Sequence, residues 1–141
     1  MEIGLVSCTK SKLEQAAKPA ELYTESAFFR KAREYVEANH GAWYILSAKH
    51  HLLHPDGPTI EPYEETLNGA SVSRKREWSQ TIYEQLQREG LLVEDNRLVL
   101  HAGRDYTEKL LPLLTDTGVG IETPTDGLRY GETLAWYNER I

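Results

Sequence analysis

Short apolar runs alternate with amphipathic stretches along this sequence, and the alternation predicts its secondary structure. Each apolar run has the length of a strand and is rich in β-branched, aromatic or leucine side chains. We expect four strands, at residues 3–6, 43–46, 98–100 and 119–121. Since these runs are apolar throughout rather than at every second position, we expect strands that are covered on both faces.

Apolar residues recur at helical spacing between the predicted strands. The residues that define two helix faces are Phe28, Ala32, Tyr35 and Val36 in the first helix and Trp78, Ile82 and Leu86 in the second. We expect Gly41 and Gly90 to end these helices, because glycine suits the left-handed position after a helix. Asp105 and Glu108 have the spacing of a capping box, which predicts a third helix there. Residues 133–141 predict a final helix.

Strands that alternate with helices indicate an α/β fold. We expect a three-layer structure in which helices flank a mainly parallel central sheet of about four strands. The length of 141 residues suits one domain over residues 1–141, and neither a repeat nor a linker interrupts the sequence.

Charge and composition exclude several classes of protein. The 16 Lys and Arg residues against 22 Asp and Glu residues give a net charge of −6, which excludes a protein that coats nucleic acid by bulk positive charge. The single cysteine excludes an internal disulfide and a cysteine-cluster zinc site. No apolar run approaches the roughly 20 residues that cross a bilayer. We expect a cytoplasmic protein with no cofactor and no metal.

Polar and cationic side chains follow three of the predicted strands. Ligands of open parallel sheets bind beyond the carboxyl ends of strands. If the strands are neighbours, Lys10, Lys49, His50 and Arg104 converge on a pocket for a phosphate or carboxylate. The other residues at these strand ends that we expect to contact the ligand are Ser7, Lys12, Ser47 and Gly103. Alternatively, these side chains are solvated loop residues.

Further candidates lie beside these strand ends. Glu61, in a proline-stiffened loop, is placed to activate water, whereas Glu64 and Glu65 are expected to point into solvent. Cys8 follows the first strand and is either a nucleophile or a small buried residue. The tyrosines that we include among the ligand-binding residues are Tyr23 and Tyr106, which are expected to stack on a base, and Tyr63. The histidines lack the spacing of a metal site.

Residues 45–67, ILSAKHHLLHPDGPTIEPYEETL, resemble a segment of the YaaA family of peroxide stress proteins. The match is carried by Leu46, Ser47, His50, Leu52, Leu53, Pro55, Ile60, Pro62 and Tyr63. The whole chain is more similar still to short uncharacterised domains related to YaaA. Those motifs are matched here by Ser7, Cys8, Lys10, Lys12, Leu22, Tyr23, Ser26, Phe29, Ala102, Gly103 and Tyr106. The tail is also similar, through Gly127, Leu128 and Gly131. The sequence departs from the pattern at His51, where glycine is usual, and it is shorter than YaaA and lacks the DNA-binding helical additions.

The resemblance extends distantly to archaeosine-type enzymes, which act on nucleobases. It implies a small enzyme that cleaves or exchanges the N-glycosidic bond of a nucleotide, DNA or tRNA. On this hypothesis Lys10, Lys49 and Arg104 bind phosphate, His50 acts as acid and Glu61 activates water. One alternative is a non-catalytic module that binds a nucleotide or modified nucleic acid in a stress response. Another is a redox role for Cys8.

Overall fold

The structure is a computed structural model that describes residues 1–141, and it confirms the α/β class. Its strands are β1 Glu2–Ser7, β2 Ala42–Ser47, β3 His51–Leu53, β4 Arg97–His101 and β5 Gly120–Glu122. They form one sheet in the order β3-β2-β1-β4-β5. β1, β2, β4 and β5 are parallel, whereas β3 runs antiparallel to β2 at the edge. Four strands lie where the apolar runs predicted them.

Helices cover both faces of this sheet. They are α1 Pro19–Leu22, α2 Ala27–Asn39, α3 Val72–Arg88, α4 Arg104–Thr107, α5 Leu111–Leu114 and α6 Tyr130–Asn138, with a 3₁₀ turn at Thr115–Thr117. α2 packs on β1 and β2 and carries α6 on its side of the sheet. α3 packs against β3, α4 and α5 on the opposite side. No helix is both long and apolar enough to cross a membrane.

The two long helices follow their predicted faces and end where predicted, but the first one does not end on a left-handed glycine. Gly41 does not adopt a left-handed conformation, because His40 is already extended and the Gly41 N–H donates to the carbonyl of Glu2. The chain therefore passes from α2 directly into β2. Gly90, after α3, is left-handed with a φ of 74° and ends that helix as predicted.

The predicted capping box at Asp105 and Glu108 is wrong. α4 begins after Gly103, and the Asp105 carboxylate instead binds the Lys75 ammonium at 2.6 Å. Pro112, near the start of α5, has no N–H to donate and would clash within a continuous helix. The single predicted helix is therefore two short ones. The last helix starts at Tyr130, earlier than predicted, because the Glu132 carboxylate accepts from the Arg129 N–H.

Gly4 lies at the centre of β1, where α2 crosses the sheet closely. A Cβ atom at this position would lie 2.8 Å from Cγ1 of Val36 and 3.0 Å from Cδ2 of His40. Both distances are shorter than van der Waals contact. Glycine therefore sets the separation between this helix and the sheet.

A cluster of aromatic rings fills the space between β4, α2 and α6. Its centre is His101, which is fully buried and whose Nδ1 lies 2.7 Å from the hydroxyl of Tyr137. The other ring nitrogen of His101 has no partner. The His40 ring lies 5.7 Å away, and Tyr35 packs edge-on at 5.5 Å. This cluster attaches α6 to the rest of the protein.

β3 was predicted as loop, and the chain enters it through His51, where the resemblance described above leads us to expect glycine. His51 has a φ of 63° and is the only residue other than glycine with a positive φ. The left-handed conformation costs a non-glycine residue about 1–2 kcal/mol. Glycine adopts it without this cost.

Replacing His51 with glycine is expected to raise the free energy of unfolding by about 0.5–1 kcal/mol, because the relieved strain exceeds the added flexibility of the unfolded chain. Replacing it with alanine removes the same side chain but keeps the strain. Chemical denaturation should therefore rank the glycine variant above the alanine variant. Equal stability of the two variants would show that the backbone at this position is not strained.

Candidate functional site

The sheet has a topological switch point between β1 and β4. From β1 the chain passes to β2 on one side, and it later returns to β4 on the other side. Ligands of open α/β sheets bind at such a point, outside the carboxyl ends of the strands. A cleft of about 570 Å³ opens there, and we call it the switch-point cleft. It is walled by the loops after β1, β4 and β5 and by the starts of α2 and α6.

Six of the predicted site residues line the switch-point cleft. They are Ser7, Cys8, Lys10, Gly103, Arg104 and Tyr106. All follow β1 or β4, and the two strands are direct neighbours. The prediction that polar strand ends converge is therefore correct for these two strands.

The end of β2 is closed by a buried chain of hydroxyl groups. The Tyr63 hydroxyl lies 2.6 Å from that of Tyr23 and 2.7 Å from that of Ser47. Tyr23 and Ser47 are fully buried and Tyr63 is 7 % exposed, and burial raises the pKa of both tyrosines. Their polar groups bind one another in the core, so this geometry does not support the predicted contacts of these three residues with a ligand.

Lys49, His50 and Glu61 also lie outside the switch-point cleft. Lys49 and Glu61 are exposed, and Ile60 next to Glu61 pairs with Ala17, which turns this part of the loop away. The His50 ring packs edge-on against Tyr63 at 5.4 Å, and burial, with Lys49 as a second cause, lowers the pKa of its imidazole. The predicted acid and water-activating roles are therefore not supported by this geometry.

A smaller cleft of about 290 Å³ adjoins the switch-point cleft. The two clefts share Cys8, Lys10 and Tyr106, so they are lobes of one groove. Glu64 and Glu65, expected in solvent, line the smaller lobe. The loop that contains Glu61 therefore places Glu64 and Glu65, rather than Glu61, at the smaller lobe.

Lys12 holds the loop after β1 in place, and contacts within the protein already occupy its ammonium group. Its ammonium group donates to the carbonyl of Thr9 at 2.8 Å and lies 4.5 Å from the centre of the Tyr63 ring. Burial lowers the pKa of Lys12. Its side chain thus joins the loop that carries Lys10 to the buried tyrosines, although it also borders the smaller lobe.

Cys8 lies at the junction of the two lobes. Its Sγ is 3.4 Å from the Tyr106 hydroxyl and accepts from the Ala48 N–H, also at 3.4 Å. The residue is 7 % exposed, and Tyr106, 5 % exposed, packs edge-on against Trp78. Tyr106 borders both lobes, but its ring is buried against Trp78, so this geometry does not support its predicted stacking on a base.

Sequence reasoning missed the wall that residues 125–133 contribute. The Asp126 carboxylate lies 3.5 Å from Nε of Arg104 and is the only carboxylate that lines the switch-point cleft. Tyr130 beside it is 63 % exposed, and Phe28 and Leu128 add apolar surface. The related-domain motif at Gly127, Leu128 and Gly131 was the only sequence signal for this segment.

The lining of the cleft combines two kinds of surface. Lys10 and Arg104 are cationic and are surrounded by serine and threonine hydroxyls. Tyr130, Phe28 and Leu128 form an apolar wall with an exposed aromatic ring. No group of three or more His, Cys, Asp or Glu side chains is placed to hold a metal ion. The arrangement suits an anion that carries a flat apolar group.

Comparison with curated proteins and with solved structures gives no match. The sequence profile of a family of unknown function, DUF6884, matches residues 3–139. The match includes every strand and helix from β1 to α6, apart from Glu2, the first residue of β1. The chain therefore belongs to the family DUF6884.

Proposed function

We propose that the switch-point cleft binds a nucleoside phosphate, or one nucleotide of a nucleic acid, and that the protein cleaves or exchanges its N-glycosidic bond. The observation that carries the proposal is that Lys10, Arg104 and the exposed Tyr130 ring share one cleft. Cations bind phosphate oxygens, and aromatic rings stack on bases. The volume of about 570 Å³ lies within the range of small-molecule sites, roughly 300–1,000 Å³.

In this proposal Asp126 activates water, the role that the sequence analysis assigned to Glu61. Hydrolysis breaks the bond between the base nitrogen and C1′ of the sugar, and water supplies a hydroxyl to C1′ and a proton to the base. A carboxylate in the cleft accepts the proton of this water or stabilises positive charge on the sugar. Arg104 lies within 3.5 Å of Asp126 and orients the carboxylate.

The similarity to base-processing families is a second support for this proposal. The motifs shared with the short domains related to YaaA include Ser7, Cys8, Lys10, Gly103 and Tyr106, all residues of the cleft lining, and Ser7, Cys8 and Lys10 carry the likeness to archaeosine-type domains. The similarity to YaaA and archaeosine-type domains and the cleft geometry therefore favour the same part of the molecule.

Release of free base is the direct test. The protein is incubated with nucleotides, single-stranded and duplex DNA and tRNA, and free bases are separated by chromatography. Replacing Asp126 with asparagine is expected to reduce base release at least about 100-fold, the usual effect of losing a general acid or base. The Glu61→Gln variant is the matched control and should keep the wild-type rate, because Glu61 lies outside the cleft.

Two results would contradict the proposed reaction. One is the absence of base release on every substrate. The other is equal activity of the Asp126→Asn variant and the wild type.

Replacing Lys10 with alanine should weaken nucleotide binding about 10- to 100-fold, since a hydrogen bond to a charged group contributes about 1.5–3 kcal/mol.

A second candidate function is nucleotide binding without catalysis. It is favoured by one observation, that the only carboxylate of the cleft is paired with Arg104. The ion pair engages one of the two carboxylate oxygens, whereas binding of an anion by Lys10 needs no free carboxylate. A rise in melting temperature with nucleotide, in the absence of base release, would select this function.

We place either function in the cytoplasm. The support is Cys8, a free and buried thiol. Free thiols persist in reducing compartments, where disulfides are rare.

A further inference from the structure

The smaller lobe of the groove has a lining of mixed charge. Glu64 and Glu65 line it, both are exposed, and neither forms an ion pair. Lys10 and Lys12 line the same lobe. Burial lowers the pKa of Lys12, and the charges of Glu64 and Glu65 are among those that oppose this shift, so both carboxylates act on its ammonium group. The formal charges of these four side chains cancel, and a neutral ligand group therefore suits this lobe.

The smaller lobe is also rich in hydrogen-bonding groups. Its lining includes the Thr66 hydroxyl and the Asn68 amide beside the carboxylates of Glu64 and Glu65. A carboxylate only accepts hydrogen bonds, and it binds a hydroxyl donor more strongly than a neutral acceptor does. Sugar hydroxyls are such donors, and acidic side chains of dinucleotide-binding folds bind them in this way. The lining therefore fits a neutral group with several hydroxyls.

Lys10 fixes where such a group lies relative to a bound nucleotide. Lys10 borders both lobes, whereas Tyr130 borders only the switch-point cleft and Glu64 and Glu65 border only the smaller lobe. A phosphate on Lys10 thus has the aromatic wall for the base on one side and the two glutamates on the other. The substituent on the far side of the phosphate points into the smaller lobe.

We propose that the smaller lobe binds a second sugar, which is joined to the nucleotide through its phosphate. The inference rests on the proposed function and names the substrate class as a nucleoside diphosphate sugar. The volumes agree with this order, since the lobe of about 290 Å³ has roughly half the volume of the cleft of about 570 Å³ that takes the nucleoside. A nucleic-acid strand fits less well, because its next phosphate would meet the charges of Glu64 and Glu65.

The contribution of the second sugar to affinity tests this inference. The probes are two series, AMP, ADP and ADP-ribose, and UMP, UDP and UDP-glucose, and calorimetry measures their binding. In at least one series the sugar nucleotide should bind about 10- to 100-fold more tightly than the diphosphate, the usual effect of a hydrogen bond to a charged group. The Glu64→Ala, Glu65→Ala variant should lose this difference and bind the monophosphate as the wild type does.

The matched control replaces Asp56 and Glu61 with alanine. These residues belong to the same loop, are exposed and line neither lobe, and their replacement changes the net charge by the same amount. The control variant should keep the full preference for the sugar nucleotide. Neither double variant removes an ion pair, so both should melt at the wild-type temperature.

The monophosphates separate failure of this inference from failure of the proposed function. If monophosphates bind but sugar nucleotides bind no more tightly than diphosphates, the smaller lobe does not hold a sugar. Equal loss of the preference in both double variants would contradict the role of Glu64 and Glu65. A single-stranded 12-mer that binds more tightly than every sugar nucleotide would show that a strand occupies the groove and would overturn the inference. If none of these probes binds, the proposed function itself is wrong.

Discussion

Lowering the pH from 7 to 5 is expected to reduce the free energy of unfolding by about 2 kcal/mol through His101 alone. Burial, with His40 as a second cause, lowers the pKa of His101 from 6.5 to about 3. The folded protein therefore keeps this imidazole neutral, while the unfolded chain takes up a proton below pH 6.5. Because the unfolded state binds more protons, stability falls as the pH falls from 6.5 towards 3.

The geometry explains why the folded state resists protonation. The ring is fully buried, one nitrogen faces the Tyr137 hydroxyl and the other has no partner. No carboxylate forms a hydrogen bond or an ion pair with His101 that would stabilise the imidazolium. A charged ring at this position would be desolvated without compensation.

Urea denaturation at a series of pH values measures the effect. A His101→Gln variant removes the titrating group and should lose less stability between pH 7 and pH 5 than the wild type. The control is His54→Gln, which removes an exposed histidine that pairs with Glu89. It should retain the wild-type loss of stability. If the His101→Gln and wild-type curves are parallel, another group governs the response to acid.

Replacing Gly4 with alanine is expected to lower the free energy of unfolding by about 1–3 kcal/mol, the usual effect of overpacking a core. The new Cβ would lie 2.8 Å from Cγ1 of Val36, so α2 must move away from the sheet or its side chains must leave their rotamers. Valine at position 4 should be more damaging still. Thermal and chemical denaturation measure the loss.

Two comparisons test the reason for this loss. Gly131→Ala, in α6, has open space around the new Cβ and should be neutral or stabilising, since alanine favours helix over glycine by about 1 kcal/mol. Val36→Ala removes the obstructing atom, so adding Gly4→Ala to it should cost less than in the wild type. Strictly additive losses would show that contact with Val36 is not the cause.

The regular parts of the fold were predictable because their signals are local. Four apolar runs become the four parallel strands, and the helical faces around Val36 and Ile82 become α2 and α3. β3 was not predicted because it has only three residues and begins with the strained backbone of His51. It forms a strand only by pairing with β2. The third predicted helix was misjudged because Asp105 binds Lys75 on another helix instead of forming a capping box, and because Pro112 divides the segment.

The candidate site was predictable only where residues directly follow β1 and β4. Which loops meet at one edge depends on strand order, and strand order is a tertiary property. The loop containing Glu61 was therefore expected over the pocket, whereas its Tyr63 closes the end of β2 from within the core. Asp126 was missed for the same reason, since it follows the outermost strand.

The two walls of the switch-point cleft are held in different ways. The loops after β1 and β4 continue strands that share a ladder of main-chain hydrogen bonds, so Lys10 and Arg104 start from fixed points. α6, which carries Tyr130, has no main-chain hydrogen bond to the sheet or to α2 and is held by side chains, through aromatic packing around Tyr137 and the contact of the Tyr137 hydroxyl with Nδ1 of His101. Under the proposed function, the phosphate would therefore be anchored on the strand ladder, whereas the base would meet a wall whose position depends on side-chain packing.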